Sequence, residues 1–200
     1  MDYSIAAGWR WLDNKKAVHL LKKYHLLPKC SMLISDDSLT GFLETINQSP
    51  VDIAIKNYEV RKIEKREADY LEVDASQDTV VRDVWLIQDG KKLVYARSVF
   101  PITGLNKYLL EKISASMEPL GRRLTDQGLL TFKDKLEICA VRCADINKEL
   151  DLAPETILWA KHYRLMAKPV SEGNGIMASI TEIFSQGLMG KPPQNNIELN

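Results

Sequence analysis

The segment Thr79–Phe100 constrains the fold more than any other stretch of the chain. Two runs rich in Val, Leu, Ile, Trp and Tyr flank Asp89-Gly90, a dipeptide that tolerates the positive φ angles of a two-residue type I′ turn, whose twist matches that of antiparallel strands. The spacing predicts a hairpin. Its turn sets a register with Gln88 opposite Lys91, Leu86 opposite Leu93, Val84 opposite Tyr95 and Arg82 opposite Arg97. Side chains alternate between faces with period two, so Arg82 and Arg97 would share a face with Val84, Leu86, Leu93 and Tyr95. Two like charges facing each other on apolar surface are costly unless something relieves them. A carboxylate ligand would do so, because a guanidinium fork matches its geometry. Nearby Asp or Glu side chains, or one arginine snorkelling out at a sheet edge, would serve equally well.

The remaining chain supplies further strands. Val51, Ile53 and Ile55 alternate with Asp52, Ala54 and Lys56; Phe132, Leu136, Ile138 and Ala140 alternate with Lys133, Lys135 and Glu137 over Thr131–Val141. Ile157–Ala167 and Ile176–Phe184 read as two more strands, separated by a loop containing Glu172-Gly173-Asn174-Gly175. Helices are expected over Asn14–Leu27, ended by Pro28; over Leu39–Ile46, capped by Asp37 or Ser38; and between Asn106 and Ser116. Pro119-Leu120-Gly121 reads as a turn, and the densely charged Val60–Asp78 as a continuing edge strand or a solvated connection. Helices come first, then hairpin-linked strands with inserted helices and no repeating strand–helix–strand alternation. That order predicts an α+β fold built on an antiparallel sheet.

Two hundred residues with 45% hydrophobic content suffice for one domain with a real core. Lys plus Arg equals Asp plus Glu at 27 each, so no global field draws the chain to nucleic acid or an anionic membrane, and any anion site must be local. The N-terminus lacks the basic start and apolar stretch of a signal peptide, and no apolar run reaches the roughly 18 residues of a membrane span. Cys30, Cys139 and Cys143 form no CxxC pair, which fits reduced thiols in a cytoplasmic protein. His19, His25 and His162 have no metal-ligand spacing, and no GxSxG, P-loop or GxGxxG occurs. Nothing forces a dimer, and a monomer is expected.

Two features could carry chemistry besides the arginines. In the last strand Glu182 shares a face with Ile176, Ala178, Ile180 and Phe184, so its carboxylate is either paired with an arginine or held for proton handling and ligand hydrogen bonding. The Pro119-Leu120-Gly121-Arg122 segment could present backbone N–H groups to an oxyanion, although most such turns only turn.

These stretches resemble a known family. Val81-Arg82-Asp83-Val84-Trp85-Leu86 with Asp89-Gly90 and Ala96-Arg97-Ser98-Val99-Phe100-Pro101 looks like the central hairpin of bacterial chorismate lyases. Pro119-Leu120-Gly121-Arg122 resembles that family's PLGR turn, and Ser179-Ile180-Thr181-Glu182-Ile183-Phe184 its LTELF strand. Leu33–Thr40 resembles its early loop and helix. The four matches run in the family's order from about Leu26 to Phe184. Two departures stand out: Leu39 occupies a position often held by methionine, and Trp159–Leu165 and the loop after it fit only loosely.

The resemblance implies a single antiparallel β-sheet with helices packed on one side and a product pocket under helical flaps. It implies residues 26–185 as the lyase-like domain; outside its reach, spacing predicts 1–25 as a helical N-terminal extension and composition 186–200 as a flexible tail. The resemblance also implies a cofactor-free and metal-free lyase that cuts chorismate into 4-hydroxybenzoate and pyruvate and feeds ubiquinone biosynthesis. Arg82 would hold the ring carboxylate, Glu182 would meet the 4-hydroxyl, and the backbone around Leu39, Leu120 and Gly121 would line the pocket. Arg97 is a candidate for the enolpyruvyl side. Chorismate and 4-hydroxybenzoate are then the expected partners. The alternatives are a non-catalytic sensor of a small aromatic carboxylate, since the same fold serves as an effector domain in some transcription regulators, and a protein-interaction module, which would need a large exposed apolar patch.

Overall fold

The computed structural model describes residues 2–103, 110–111, 118–169 and 175–193. In chain order the elements are β1 (Ser4–Ile5), β2 (Leu12–Asp13), α1 (Asn14–Lys23), α2 (Leu27–Ile34), α3 (Leu39–Asn47), β3 (Asp52–Lys62), α4 (Lys65–Leu71), β4 (Asp78–Gln88), β5 (Lys91–Pro101), α5 (Leu120–Asp126), β6 (Leu129–Arg142), α6 (Ala144–Glu149), β7 (Ile157–Pro169), β8 (Ile176–Phe184) and α7 (Gln186–Met189). Every strand pairs antiparallel in one sheet of order β1-β6-β7-β8-β5-β4-β3, with β2 also on β6. This is the expected antiparallel α+β architecture. Among the described residues no helix is long and apolar enough to cross a membrane.

The β4–β5 turn is the predicted one: Asp89 and Gly90 both have positive φ, at 50° and 72°, and Gln88 faces Lys91. The register then departs from the sequence expectation. A bulge between Leu86 and Ile87 makes Leu86 face Val94, Val84 face Ala96, Arg82 face Ser98 and Asp83 face Arg97. One extra residue flips the downstream side chains of β5 to the opposite face. Arg82 and Arg97 therefore never meet. A second irregularity lies between Asp134 and Glu137 of β6, where Lys135 takes a left-handed φ of 49°. It puts Lys133 on the same face as Ile138 and Ala140, and Phe132 on the other, which a regular alternation would not allow.

Several local expectations are corrected in the same physical terms. Pro28 does not end the first helix: α1 stops at Lys23, His25 has a positive φ of 54°, and Pro28 sits in the first turn of α2, where its missing N–H has no intrahelical partner to lose. Pro119-Leu120-Gly121 is not a free turn but the start of α5, with Pro119 as N-cap. The charged Val60–Asp78 segment continues β3 to Lys62 and then forms α4, whose Glu67 carboxylate accepts a hydrogen bond from the Glu64 N–H. The helix expected over 106–116 lies outside the described residues apart from 110 and 111, which are helical. The Glu172–Gly175 loop lies outside them apart from Gly175. Ser38 caps α3 as expected, its hydroxyl accepting from the Gly41 N–H.

The two faces of the sheet are covered differently. The main core packs α1, α2 and α3 against Trp159, Ile138, Ala140, Phe184, Val94 and Leu86, with Trp9 standing edge-on to Trp159 at 5.3 Å between ring centroids. The helices that roof the cavity described below lie on this face. On the far face α4 brings Tyr70 to 4.3 Å from the His162 ring, and Glu149 at the end of α6 accepts hydrogen bonds from Trp85 Nε1 and Lys92 Nζ. Partial burial alone would raise the Glu149 carboxyl. Hydrogen bonds from Lys56, Lys92 and Trp85 outweigh it and hold the pKa at about 2. Cys30, Cys139 and Cys143 are buried free thiols.

Gln186–Met189 form α7 and join the core; of the tail expected over 186–200, residues 194–200 lie outside the described residues. Met189 is 2% exposed, and its carbonyl accepts from the Cys30 thiol at 3.5 Å. Met189→Ala should lower unfolding free energy by about 2–4 kcal/mol through lost contacts and a residual cavity. Urea denaturation measures this, and an unchanged midpoint would show that the segment does not pack.

Candidate functional site

The pleat aims side chains from five strands into one cavity of about 320 Å³. From one side to the other these are Arg82, Val84 and Leu86 on β4; Ala96 and Ser98 on β5; Ile180 and Glu182 on β8; Tyr163 and Leu165 on β7; and Thr131 and Lys133 on β6. The roof is made by the loop and first turn of α3, with Asp36, Ser38, Leu39 and Thr40, and by Pro119–Arg122 at the start of α5. Apolar side chains such as Val84, Leu86, Leu165 and Ile180 share the lining with charged and hydroxyl groups, among them Arg82, Lys133, Tyr163 and Glu182, a mixture that can orient a small polar ligand.

Glu182 is 4% exposed. Its Oε1 accepts from the Tyr163 hydroxyl at 2.8 Å, whereas Oε2 is buried without a hydrogen-bond partner among the described residues. A buried acceptor left unsatisfied costs about 1–3 kcal/mol, more when charged, so this oxygen is poised to accept from a ligand. Burial, and then the adjacent Glu182 charge, push the Tyr163 pKa well above its ordinary value. Tyr163 is thereby a fixed donor that orients the carboxylate.

Arg82 is 2% exposed, and its Nη2 donates to the Glu118 carbonyl at 3.2 Å. It ties the entry of α5 to the floor. Burial lowers its guanidinium pKa, opposed by Tyr58, the residue across from it on β3. Lys161 is Glu182's neighbour on β7 and is 1% exposed. Its Nζ donates to the carbonyls of Met32 at 3.0 Å and Ser35 at 2.6 Å, satisfying acceptors at the C-terminal end of α2. Burial pulls its pKa to about 8 against the raising pull of Glu182. Lys133 donates to the Asp37 carbonyl and lies 4.8 Å from the Tyr163 ring centroid. Arg122 of α5 pairs with Glu44 of α3 across the roof, which holds the Glu44 carboxyl below its usual range.

Of the residues that sequence singled out, Arg82, Leu39, Leu120, Gly121 and Glu182 line this one cavity. Arg97 does not. The β4–β5 bulge sends it to the far face, where its Nε and Nη2 donate to the two Asp83 oxygens at 2.7 and 2.9 Å. That bidentate bond raises the Arg97 pKa. Three polar residues escaped the sequence reading. Lys161 and Tyr163 were legible in principle, because they alternate with Trp159 and Leu165 on one face of a strand. Lys133 was not, since nothing in Thr131–Val141 marks the irregularity that turns it inward.

A family model described as chorismate pyruvate-lyase Rv2949c-like matches residues 33–190. No curated protein matches the chain. Solved structures share the fold. YydK from Bacillus subtilis, a possible transcriptional regulator, is 16% identical with a TM-score of 0.53 over 74% of this chain and 64% of its own. The effector domain of PhnF from Mycobacterium smegmatis is 11% identical with a TM-score of 0.56 over 75% and 89%. A GntR-family transcriptional regulator from Bacillus cereus is 12% identical with a TM-score of 0.51 over 68% and 92%. The chain thus spans less than two thirds of YydK, and at these identities the likeness establishes the fold alone.

Removing Arg97 tests its far-face role. Arg97→Ala should cost about 3 kcal/mol of stability by stranding the buried Asp83 carboxylate, while leaving the affinity of any ligand in the cavity within about twofold, a shift of a few tenths of a kcal/mol. Denaturation and calorimetry on the same variant separate the two effects; a large affinity loss with unchanged stability would return Arg97 to the site.

Proposed function

The chain belongs to the Rv2949c-like chorismate pyruvate-lyase family, and on that footing we propose that it converts chorismate to 4-hydroxybenzoate and pyruvate without a cofactor. The observation that carries this reading is the partly unsatisfied Glu182 carboxylate in the same cavity as the buried Arg82 guanidinium. A ligand with a carboxylate at one end of a six-membered ring and a hydroxyl on the opposite ring carbon satisfies both groups at once. Chorismate and its aromatic product both fit that description.

The chemistry asks little more of the protein. The C3–O bond of chorismate breaks and its electron pair leaves with the enolpyruvate oxygen. The C4 proton departs and its electrons close the third ring double bond, while enolpyruvate takes up a proton and becomes pyruvate. Aromatisation supplies the driving force. The residues must hold the ring in a reactive pose and stabilise the charge that grows. In this reading Arg82 anchors the ring carboxylate, assisted by the backbone beside Leu39, Leu120 and Gly121. Glu182 accepts from the 4-hydroxyl through Oε2, its rotamer fixed by Tyr163, and assists removal of the adjacent C4 proton. The product would serve as the aromatic precursor for ubiquinone. The roof, pinned by the Arg82, Lys161 and Arg122 contacts, must open to release product, so release is expected to be slow relative to chemistry.

A second reading has a specific support: the solved structures that share the fold include regulators and an effector domain. The same cavity would then sense an aromatic carboxylate without turnover.

Purified protein mixed with chorismate, with no metal or cofactor added, should yield pyruvate and 4-hydroxybenzoate in equal amounts. Tight 4-hydroxybenzoate binding without turnover would decide for the sensor. Arg82→Ala should weaken chorismate binding by about 2–5 kcal/mol, and near-normal kinetics would remove Arg82 from the site. Glu182→Gln should keep the fold and reduce turnover; unchanged turnover would leave Glu182 a merely structural group.

A further inference from the structure

We infer that Lys133 binds the second carboxylate of the substrate, the one on the enolpyruvyl arm, and that it makes the site prefer a dianion over its own aromatic product. This rests on the chorismate reading of the cavity.

Three observations lead there. The first is the position of the cavity's charged floor groups. Across the sheet, Arg82 on β4 and Lys133 on β6 flank Glu182 on β8, with one strand between Glu182 and each of them. By register Arg82 is level with Ile180, two residues along β8 from Glu182, and Lys133 with Ala178, four residues along; the Lys133 ammonium reaches back over the ring of Tyr163, whose hydroxyl donates to Glu182. In chorismate the ring carboxylate lies opposite the C4 hydroxyl, and the enolpyruvyl ether leaves the neighbouring carbon, reaching beyond C4 and away from that carboxylate. With the ring carboxylate at Arg82 and the hydroxyl at Glu182, the arm points toward β6.

The second observation is the state of Lys133 itself. Its Nζ donates to a neutral backbone carbonyl, that of Asp37, and lies over the Tyr163 ring. Among the described residues it makes no ion pair with a carboxylate. Arg122, the other cation at the rim, is already committed to Glu44, and Arg97 is held on the far face by Asp83. An ammonium has three donors, so Lys133 can keep the Asp37 contact and still bind a carboxylate.

The third is that the fold goes out of its way to place this side chain inward. The irregularity between Asp134 and Glu137, with Lys135 in the left-handed region, moves Lys133 onto the cavity face. Bulges near a site commonly re-aim a side chain in this manner. Seated there, the ammonium would also stabilise negative charge as the C3–O electron pair departs with the enolpyruvate, an interaction stronger in the transition state than in the ground state.

Lys133→Gln tests the inference, because glutamine keeps a donor for the Asp37 carbonyl and loses the charge. For chorismate, kcat/KM and affinity should both fall, kcat/KM by about 30-fold or more. Affinity for 4-hydroxybenzoate, which lacks the second carboxylate, should change by less than about twofold. Lys133→Arg should restore much of the loss. Equal loss of affinity for both ligands would overturn the proposal in favour of a roof-holding role, as would unchanged kinetics. Affinities from calorimetry keep the outcomes apart: a wild-type protein that binds chorismate but does not turn it over defeats the lyase reading yet still tests Lys133 through the chorismate-to-product ratio. Wild-type protein that binds neither ligand overturns both.

Discussion

Side chains from neighbouring strands meet only when they share a face of the pleat, and in this molecule two irregularities decide which charges do. The break between Leu86 and Ile87 separates Arg82 from Arg97 and gives Arg97 to Asp83 on the far side. The one between Asp134 and Glu137 brings Lys133 inward. Each is a single-residue event in a long strand, and each reassigns every residue beyond it. The cavity's electrostatics are therefore a property of the ladder, set before any side chain chooses a rotamer. Had β4 and β5 paired without the bulge, two guanidiniums would have faced each other on apolar surface, a costly arrangement that only a bound anion or imported acids could relieve.

The roof depends on that floor. Lys161 grips the end of α2 through the Met32 and Ser35 carbonyls, and Arg82 grips the Glu118 carbonyl ahead of α5. In the Lys161 contacts the acceptors carry no formal charge, so the cation is satisfied in hydrogen bonds without being neutralised, and Glu182 across the ladder feels its field. The cost is visible in the depressed Lys161 pKa. It is the kind of cost a ligand site tolerates and a purely structural core avoids, since an apolar residue of similar volume would pack there without desolvating a charge.

Much of this was legible in the sequence, and what was not has a common cause. Asp89-Gly90 declared its turn because few dipeptides accept two positive φ angles; the Ile176–Phe184 alternation put Glu182 on the face it occupies; Ser38 declared the start of α3. Lys161 and Tyr163 could have been found from the same alternation in β7. The register slip after Leu86, by contrast, leaves no residue signature: neither partner strand contains a glycine or proline at the bulge. Lys135 takes a positive φ without being Gly, Asn or Asp. The helix α4 hid inside a charged stretch because it is seven residues long and its stability comes from Ala68 and Leu71 packing with Ile63 and Met177, contacts that exist only once the sheet is assembled. Local signals reached the elements; long-range pairing settled the faces.

A shared fold leaves open whether such a cavity senses or catalyses, and the distinction rests on what its polar groups are complementary to. A sensor gains from contacts that are as good with the bound ligand as they will ever be, whereas a catalyst gains only from those that improve toward the transition state. The Tyr163 hydrogen bond fixes the aim of the Glu182 carboxylate. Loss of the C4 proton from chorismate asks little of a base, because aromatisation makes the proton unusually easy to remove once the C3–O bond is stretching. A rigidly aimed carboxylate then suffices, provided the departing enolpyruvate is met by positive charge on its own side of the ring. The cavity's plan, with a carboxylate fixed in the middle and a cation toward either edge of the sheet, has that form.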